Sequence, residues 1–344
     1  MKERKFERII KTNYNEDLKV FKETHTWVWT LGLVLGLCLI PMLGSEYLLH
    51  TLSLAGVYVI VALALNLLSG YAGQISLGHA AFLAVGAYSS AVLTMKFALS
   101  FWLALPLSGF ITTIVGLVVG LPALRLSGIY LAIVTLAFGF IVDEVIIQAA
   151  SLTNGVNGIA VSKPSVGPMI LGYVGLYYLI LIFVILGVYG AKNITRSAMG
   201  RAFVAIRDSE IAAEILGVNL SFYKMVAFAI SAFYTGVAGS LFAHLLGFIA
   251  PENFTLMDSI TFIMMVLVGG AGSLLGSIYG ATFITFLPEG IRLLKDVYPS
   301  VALSESSIQG LLYGFILLFF IIVEPNGLYG RWVKIKRWWK TFPL

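Results

Sequence analysis

The chain has 344 residues, of which 59% are hydrophobic and only 11% charged, against roughly 25% charged in a soluble domain. That composition cannot clothe a water-facing surface, and it excludes disorder, a collagen repeat and a disulfide scaffold. A net charge of +5 with a single cysteine, Cys38, leaves no intrachain disulfide or cysteine-rich metal cluster, and the expected class is a polytopic, all-α membrane protein.

The distribution of charge places the spans. No Asp, Glu, Lys or Arg interrupts residues 47–95, 97–124, 164–191, 225–251 or 259–288. A spanning helix needs about 20 mostly apolar residues, so the longest of these runs holds two crossings. Ten spans are predicted, near 27–44, 48–68, 77–95, 101–121, 127–149, 171–190, 221–247, 259–270, 273–291 and 308–324. The resulting organisation is a tail over 1–26, a permease-like domain over 27–324 with a polar segment at 192–220, and a second tail over 325–344.

Orientation follows from Lys and Arg. Seven of the 22 lie in residues 1–22, five in 192–224 and five in 331–340. The positive-inside rule puts all three segments in the cytoplasm, and an even number of crossings satisfies it. The mixed-charge start reads as a retained tail rather than a signal peptide. The basic balance thus reports topology, not a nucleic-acid partner. Arg292 and Lys295 fall outside and oppose the trend.

In chain order, the first informative segment runs from Asn66 through Ser69, Gly70, Gly73, Gln74 and Ser76 to His79, polar yet uncharged. The second is Gly269-Gly270-Ala271-Gly272, which repeats the Gly-x-Ala-Gly of residues 70–73 and suggests an internal duplication. Glycine weakens a helix by about 1 kcal/mol per interior residue, and broken helices persist in a membrane only inside protein or beside a water-filled path. Matching breaks in two halves point to a translocation path. Close helix packing through glycine is the other reading. Between them, Asp143 and Glu144 sit in an apolar run, either as proton-relay acids or as a pair near the outer boundary.

The segment 200–217 predicts a short helix: Asp208 or Ser209 caps it, Glu210 suits the positive dipole end, and Gly217 stops it. About two turns are unstable alone, so the helix docks either on a partner or on the chain itself. Ile211, Ile215 and Ala212 share one face; Glu210, Ala213, Glu214 and Gly217 share the other. Pro325 and Asn326-Gly327 end the last span, and Trp332, Trp338 and Trp339 among basic residues read as an interfacial anchor. The sequence contains no Gly-Lys dipeptide, hence no Walker A phosphate cradle, and no paired His for zinc; no catalytic or metal-ligating residue is assigned.

Residues 65–82, 121–138, 153–159, 200–217 and 269–276 together closely resemble the branched-chain amino-acid ABC transporter permeases of the LivM type, in order, over about residues 50–325. The resemblance implies half of a pore beside a LivH-like permease, two cytoplasmic ATPase subunits that carry ATP and Mg, and an extracytoplasmic amino-acid-binding protein. This chain itself would hold no cofactor, and its home would be the inner membrane with both termini cytoplasmic. The 209–217 helix then resembles a coupling helix of pattern Glu-Ala-Ala-x-x-x-Gly: Ala212, Ala213 and Gly217 match, whereas Ile211 takes the Glu position and the acid moves to Glu210. Arg207, Asp208 and Ser209 complete the expected coupling set. Alternatives are a permease for urea or other amides, and a stand-alone proton- or ion-coupled transporter.

Overall fold

In a computed structural model, the described residues are 24–126, 128–166, 169–297 and 305–341. They form helices α1 (Thr24–Leu43), α2 (Glu46–Leu65), α3 (His79–Met95), α4 (Phe101–Ala123), α5 (Ile129–Gln148), α6 (Ala150–Thr153), α7 (Tyr173–Arg196), α8 (Ala198–Asp208), α9 (Glu210–Ile215), α10 (Leu220–Leu246), α11 (Leu256–Gly269), α12 (Leu274–Val297), α13 (Glu305–Val323) and α14 (Gly327–Thr341). A π-helix over Asn66–Tyr71 continues α2. Four two-residue strands, β1 (Ile159–Ala160), β2 (Ser165–Val166), β3 (Met169–Ile170) and β4 (Phe248–Ile249), pair antiparallel as β1–β4 and β2–β3. The N-terminal tail expected over 1–26 falls almost wholly outside the described residues.

Residues up to Leu49 and those from His50 onward make two separate compact units. In the first, α1 shows Leu31, Leu33, Leu35 and Leu39 at its surface, as a lipid-facing helix would. The second holds the core and everything described below.

Among the described residues, seven helices are long and apolar enough to cross a membrane: Glu46–Tyr71, Phe101–Pro122, Ile129–Gln148, Tyr173–Arg196, Leu220–Leu246, Pro251–Gly269 and Leu274–Arg292. An eighth results if Gln309–Val323 and Gly327–Lys336, bent by 47°, are taken as one. Ten requires counting the shorter Leu31–Met42 and His79–Met95 as crossings too. The chain is therefore a polytopic helical membrane protein whose predicted segments all fall on helices, while the count of ten exceeds what length and composition support. One reason is local: α3 spends its would-be first turns in an irregular segment at residues 72–78.

The centre of the core is α10, which packs most extensively on α4 and α3. Small residues permit this. A Cβ on Gly86 would run into the backbone of Gly236, and one on Gly236 would sit 2.5 Å from the Thr112 hydroxyl. Among apolar lipid tails, close backbone approach of this kind supplies the dispersion contacts that hold helices together. Buried hydroxyls add polar ties: Ser90 and Ser240 lie 2.7 Å apart, and His244 Nδ1 donates to the Ser162 carbonyl at 2.7 Å. The expected tail at 325–344 is instead mostly helical, as α14.

Candidate translocation and coupling site

The two glycine-rich breaks, nearly 200 residues apart in sequence, touch each other. Asn66 is fully buried, and its carboxamide uses both N–H donors and accepts one hydrogen bond at its oxygen. Nδ2 donates to the Ser273 carbonyl at 2.8 Å and to Ser277 Oγ at 2.7 Å, while Oδ1 accepts from the Gly272 amide at 2.8 Å. One side chain of the first break thus replaces the helical partners that the second break has lost. The glycines are needed for this approach: a Cβ on Gly70 would collide with the Asn66 carboxamide and the Gly272 amide.

The first break differs from the expected unwound segment. It opens with a π-helix over Asn66–Tyr71, which keeps its backbone hydrogen-bonded, and becomes irregular only beyond Ala72. A π-turn inside a helix is rare and frequent at functional positions. The amides of the irregular part find side-chain acceptors: Leu77 N donates to Thr135 Oγ1 at 2.9 Å and Ala80 N to Ser259 Oγ at 3.0 Å. Ser69 Oγ donates to the Gln74 carbonyl at 2.9 Å. Ser76 accepts from the Gly78 amide at 3.3 Å.

His79 is fully buried beneath this segment. Its Nε2 lies 2.8 Å from Ser231 Oγ, whose own proton goes to the Ala64 carbonyl, so Nε2–H is the donor. Nδ1 then accepts from Ser76 Oγ at 3.2 Å. Both ring nitrogens are spoken for by neutral groups, which makes His79 a tie between α3 and α10 rather than an open proton carrier. Gln74 is the exception among the path candidates: it is buried, yet its Oε1 has no hydrogen-bond partner among the described residues. A buried acceptor left unmatched costs about 1–3 kcal/mol, so it marks the one unsatisfied polar group of the break.

The second break is a tight turn. Helix α11 ends at Gly269, and Gly270 and Gly272 take φ of +118° and +76°, a region open to glycine. A Cβ on Gly270 would stand 2.6 Å from the Asn326 carbonyl, because the turn between α13 and α14 closes over it. That turn is held by Glu324, 7% exposed, which pairs with Arg331 at 2.7 Å and Lys334 at 3.1 Å.

Arg207, at the end of α8, joins the breaks to the 209–217 helix. Its Nη1 donates to the Gly70 carbonyl at 3.0 Å, and a Cβ on Gly73 or Gly272 would press on the arginine side chain at about 3 Å. Nε and Nη2 bond Asp208 at 3.0 and 2.9 Å. Helix α8 is seated by Phe203, fully buried in a cluster with Leu68, Ala72, Phe82 and Phe228.

Of the two caps offered by the sequence, Ser209 is the one used: its Oγ accepts from the Ala212 amide at 3.2 Å. Gly217 ends the helix with φ +84°. Ala213 is buried and faces the chain, whereas Ile211, Ile215 and Leu216 are 74%, 80% and 80% exposed; Ala212 and Glu214 are exposed beside them. Glu210 turns back to Lys224, 2.8 Å away and 3% exposed, which ties α9 to the start of α10. Sequence reasoning passed over Lys224, Ser273, Ser277 and Glu324. A lone lysine opening an apolar run, and serines four apart on one face of α12, are the signals that could have found them.

The acids in α5 separate. Glu144 is exposed and accepts from Gln148 Nε2 at 2.7 Å, while Asp143 borders a cleft of about 370 Å³ between α3, α5 and α11. Glu252, Phe140, Leu136, Leu256 and Ser259 also line it. Among the described residues no group of His, Cys, Asp and Glu could hold a metal ion.

Residues 47–321 match the family described as branched-chain amino acid transport system / permease component. The chain is 33% identical over 313 residues to the high-affinity branched-chain amino acid transport system permease protein LivM of Salmonella typhimurium and to that of Escherichia coli, in each case over 84% of this chain and 71% of the relative. The autoinducer 2 import system permease protein LsrC of Escherichia coli is 30% identical over 133 residues, 37% of this chain and 38% of the relative. No solved structure matches the chain. With paired helix breaks, a multi-pass helical body and this similarity along most of its length, the chain belongs to the permease component family of the branched-chain amino acid transport systems.

Proposed function

We propose that this permease forms half of the pore of an ABC importer for branched-chain or related amino acids. A LivH-like second permease, two ATPase subunits that bind ATP and Mg, and an extracytoplasmic binding protein complete the assembly. The observation that carries this reading is Arg207. It sits two residues before the Ser209 cap and donates to Gly70, where the breaks meet. A force applied to α9 therefore reaches both breaks through one rigid helix, α8, rather than through a loop. The face offered to the ATPase is Ile211, Ile215 and Leu216, too apolar and too exposed to be left in water. On this reading α9 and both termini are cytoplasmic, in line with the clustering of Lys and Arg.

ATP-driven closure of the ATPase pair would shift α9, and the breaks would rearrange so that the pore opens to the other side. Gln74, Ser69 and Ser76 supply uncharged donors and acceptors along the way, and Gln74 Oε1 stands ready for a donor. The cleft beside Asp143 and Glu252, with Phe140, Leu136 and Leu256 as apolar wall, suits an ammonium joined to an apolar side chain. A stand-alone proton-coupled transporter is supported less, because both ring nitrogens of buried His79 are held by Ser76 and Ser231.

The test is purification of the tagged chain from its native membrane with its retained partners quantified. A P-loop ATPase and a second permease in near-equal amounts are expected. Ile215→Asp, on an exposed position, should release the ATPase, leave the permease pair together and leave the unfolding temperature unchanged. A chain that emerges alone, or an ATPase that stays bound to the variant, sinks the coupling assignment.

A further inference from the structure

Helix α14 carries a face that the fold leaves open. Leu328, Trp332, Ile335 and Trp339 recur at steps of four, three and four, which puts them on one side of the helix. Leu328 packs against the main core, but Trp332, Ile335 and Trp339 are 50%, 47% and 72% exposed. The rest of the helix is cationic: Arg331, Lys334, Lys336, Arg337 and Lys340, with no acidic residue after Glu324.

The two halves of the helix are engaged differently. Arg331 and Lys334 are held by buried Glu324, and Gly327 lies against the backbone of Gly270, so the first two turns are fixed to the second glycine break. Beyond them, exposed Lys336 has no ion pair among the described residues, and the sequence adds Arg337 and Lys340 around it. The helix also starts four residues after the apolar helix ending at Val323 and is bent from it by 47°. On the reading in which α13 crosses alone, α14 leaves it at this angle and starts at the membrane surface.

We propose that the distal half of α14 is an anionic-lipid site, with Trp332, Ile335 and Trp339 entering the boundary of the acyl chains and Lys336 meeting a lipid phosphate. A protein partner fits less well, since protein interfaces are depleted of lysine at their centres. Indoles beside lysines match the headgroup layer, and a face of one sign matches a leaflet of the other.

Tryptophan fluorescence tests the assignment. The full chain, with the partners it retains, is reconstituted in vesicles of phosphatidylcholine alone or with phosphatidylglycerol added. Quenching by lipids brominated on the acyl chain is compared with quenching by aqueous acrylamide. Subtracting the signal of a Trp332→Phe, Trp339→Phe double variant isolates these two indoles from Trp27, Trp29, Trp102 and Trp338. Phosphatidylglycerol should raise bromolipid quenching of the α14 component and protect it from acrylamide, and added salt should reverse the gain. Lys336→Ala should shift the lipid dependence by about five-fold, the factor expected of one basic residue at an anionic surface. Indoles open to acrylamide in both lipids overturn the site. So does an unchanged gain in Lys336→Ala. Shielding from acrylamide and bromolipid alike would show another protein covering this face, and overturns it too.

Discussion

At the first break the chain goes on hydrogen-bonding to itself through a π-helix, and then meets Thr135 and Ser259 on other helices. At the second it turns abruptly on Gly270 and Gly272, both at positive φ, and takes support from outside: Asn66 on one side, Asn326–Gly327 on the other. The same four-residue pattern, Gly-x-Ala-Gly, therefore serves two purposes. The last glycine of each, Gly73 at φ +71° and Gly272 at φ +76°, takes a positive φ and leaves room for Arg207, while Gly70 makes room for the second break's backbone and Gly270 adds a further positive φ. The first break supplies the bridging side chain, Asn66, which both donates to and accepts from the second, so the pair is asymmetric although its sequences look alike.

That asymmetry can be broken from the rigid side first. Gly270→Val would place a β-branched side chain at φ +118° against the Asn326 carbonyl, a contact with backbone that cannot yield. Strain and overlap together should cost more than about 3 kcal/mol, seen as loss of the folded chain in fluorescence-detected size exclusion. A Gly270→Val protein of wild-type stability would show that the turn does not rest on the Asn326 contact.

Asn66→Leu keeps the volume but strips the second break of its donor and acceptor. The Gly272 amide and the Ser277 hydroxyl then lose buried partners, at about 2–4 kcal/mol in all. Thermal unfolding of the purified chain reads this, and Ser277→Ala in the same background should recover part of the loss. Full additivity of the two substitutions would mean that Asn66 and Ser277 act independently, contrary to the bridge.

Arg207→Met has the smallest effect on folding and the most specific effect on work. The side chain is more than a third exposed, so its removal should cost about 1 kcal/mol or less. Uptake by the reconstituted transporter should nevertheless fall by about ten-fold, within the usual range of coupling energies, while the ATPase stays bound. Uptake that falls only in proportion to the amount of folded protein would reduce Arg207 to a packing residue.

Much of this was legible beforehand. Charge-poor runs located the apolar helices, because a membrane tolerates few charges, whereas the basic helix α14 was read only as a tail. The cap at Ser209 and the stop at Gly217 were legible for the same kind of reason: capping is a matter of neighbouring residues. The face of α9 was harder. Helical spacing grouped Ile211 with Ile215, but only packing shows that Ala213 is the inward position and that Leu216 joins the exposed set.

What the amino-acid sequence determined by itself is thus whatever depends on composition or on residues a few places apart: the membrane class, the helices, the glycine breaks and the short capped helix. Tertiary structure alone decided which breaks meet, that Asn66 serves Gly272 and Ser277, that Arg207 reaches Gly70, and that Lys224 and Glu324 are buried ion partners. These contacts join residues far apart in the chain, and no local preference specifies them. They follow from the close approach of helices across small residues, which a one-dimensional pattern permits without choosing the partner.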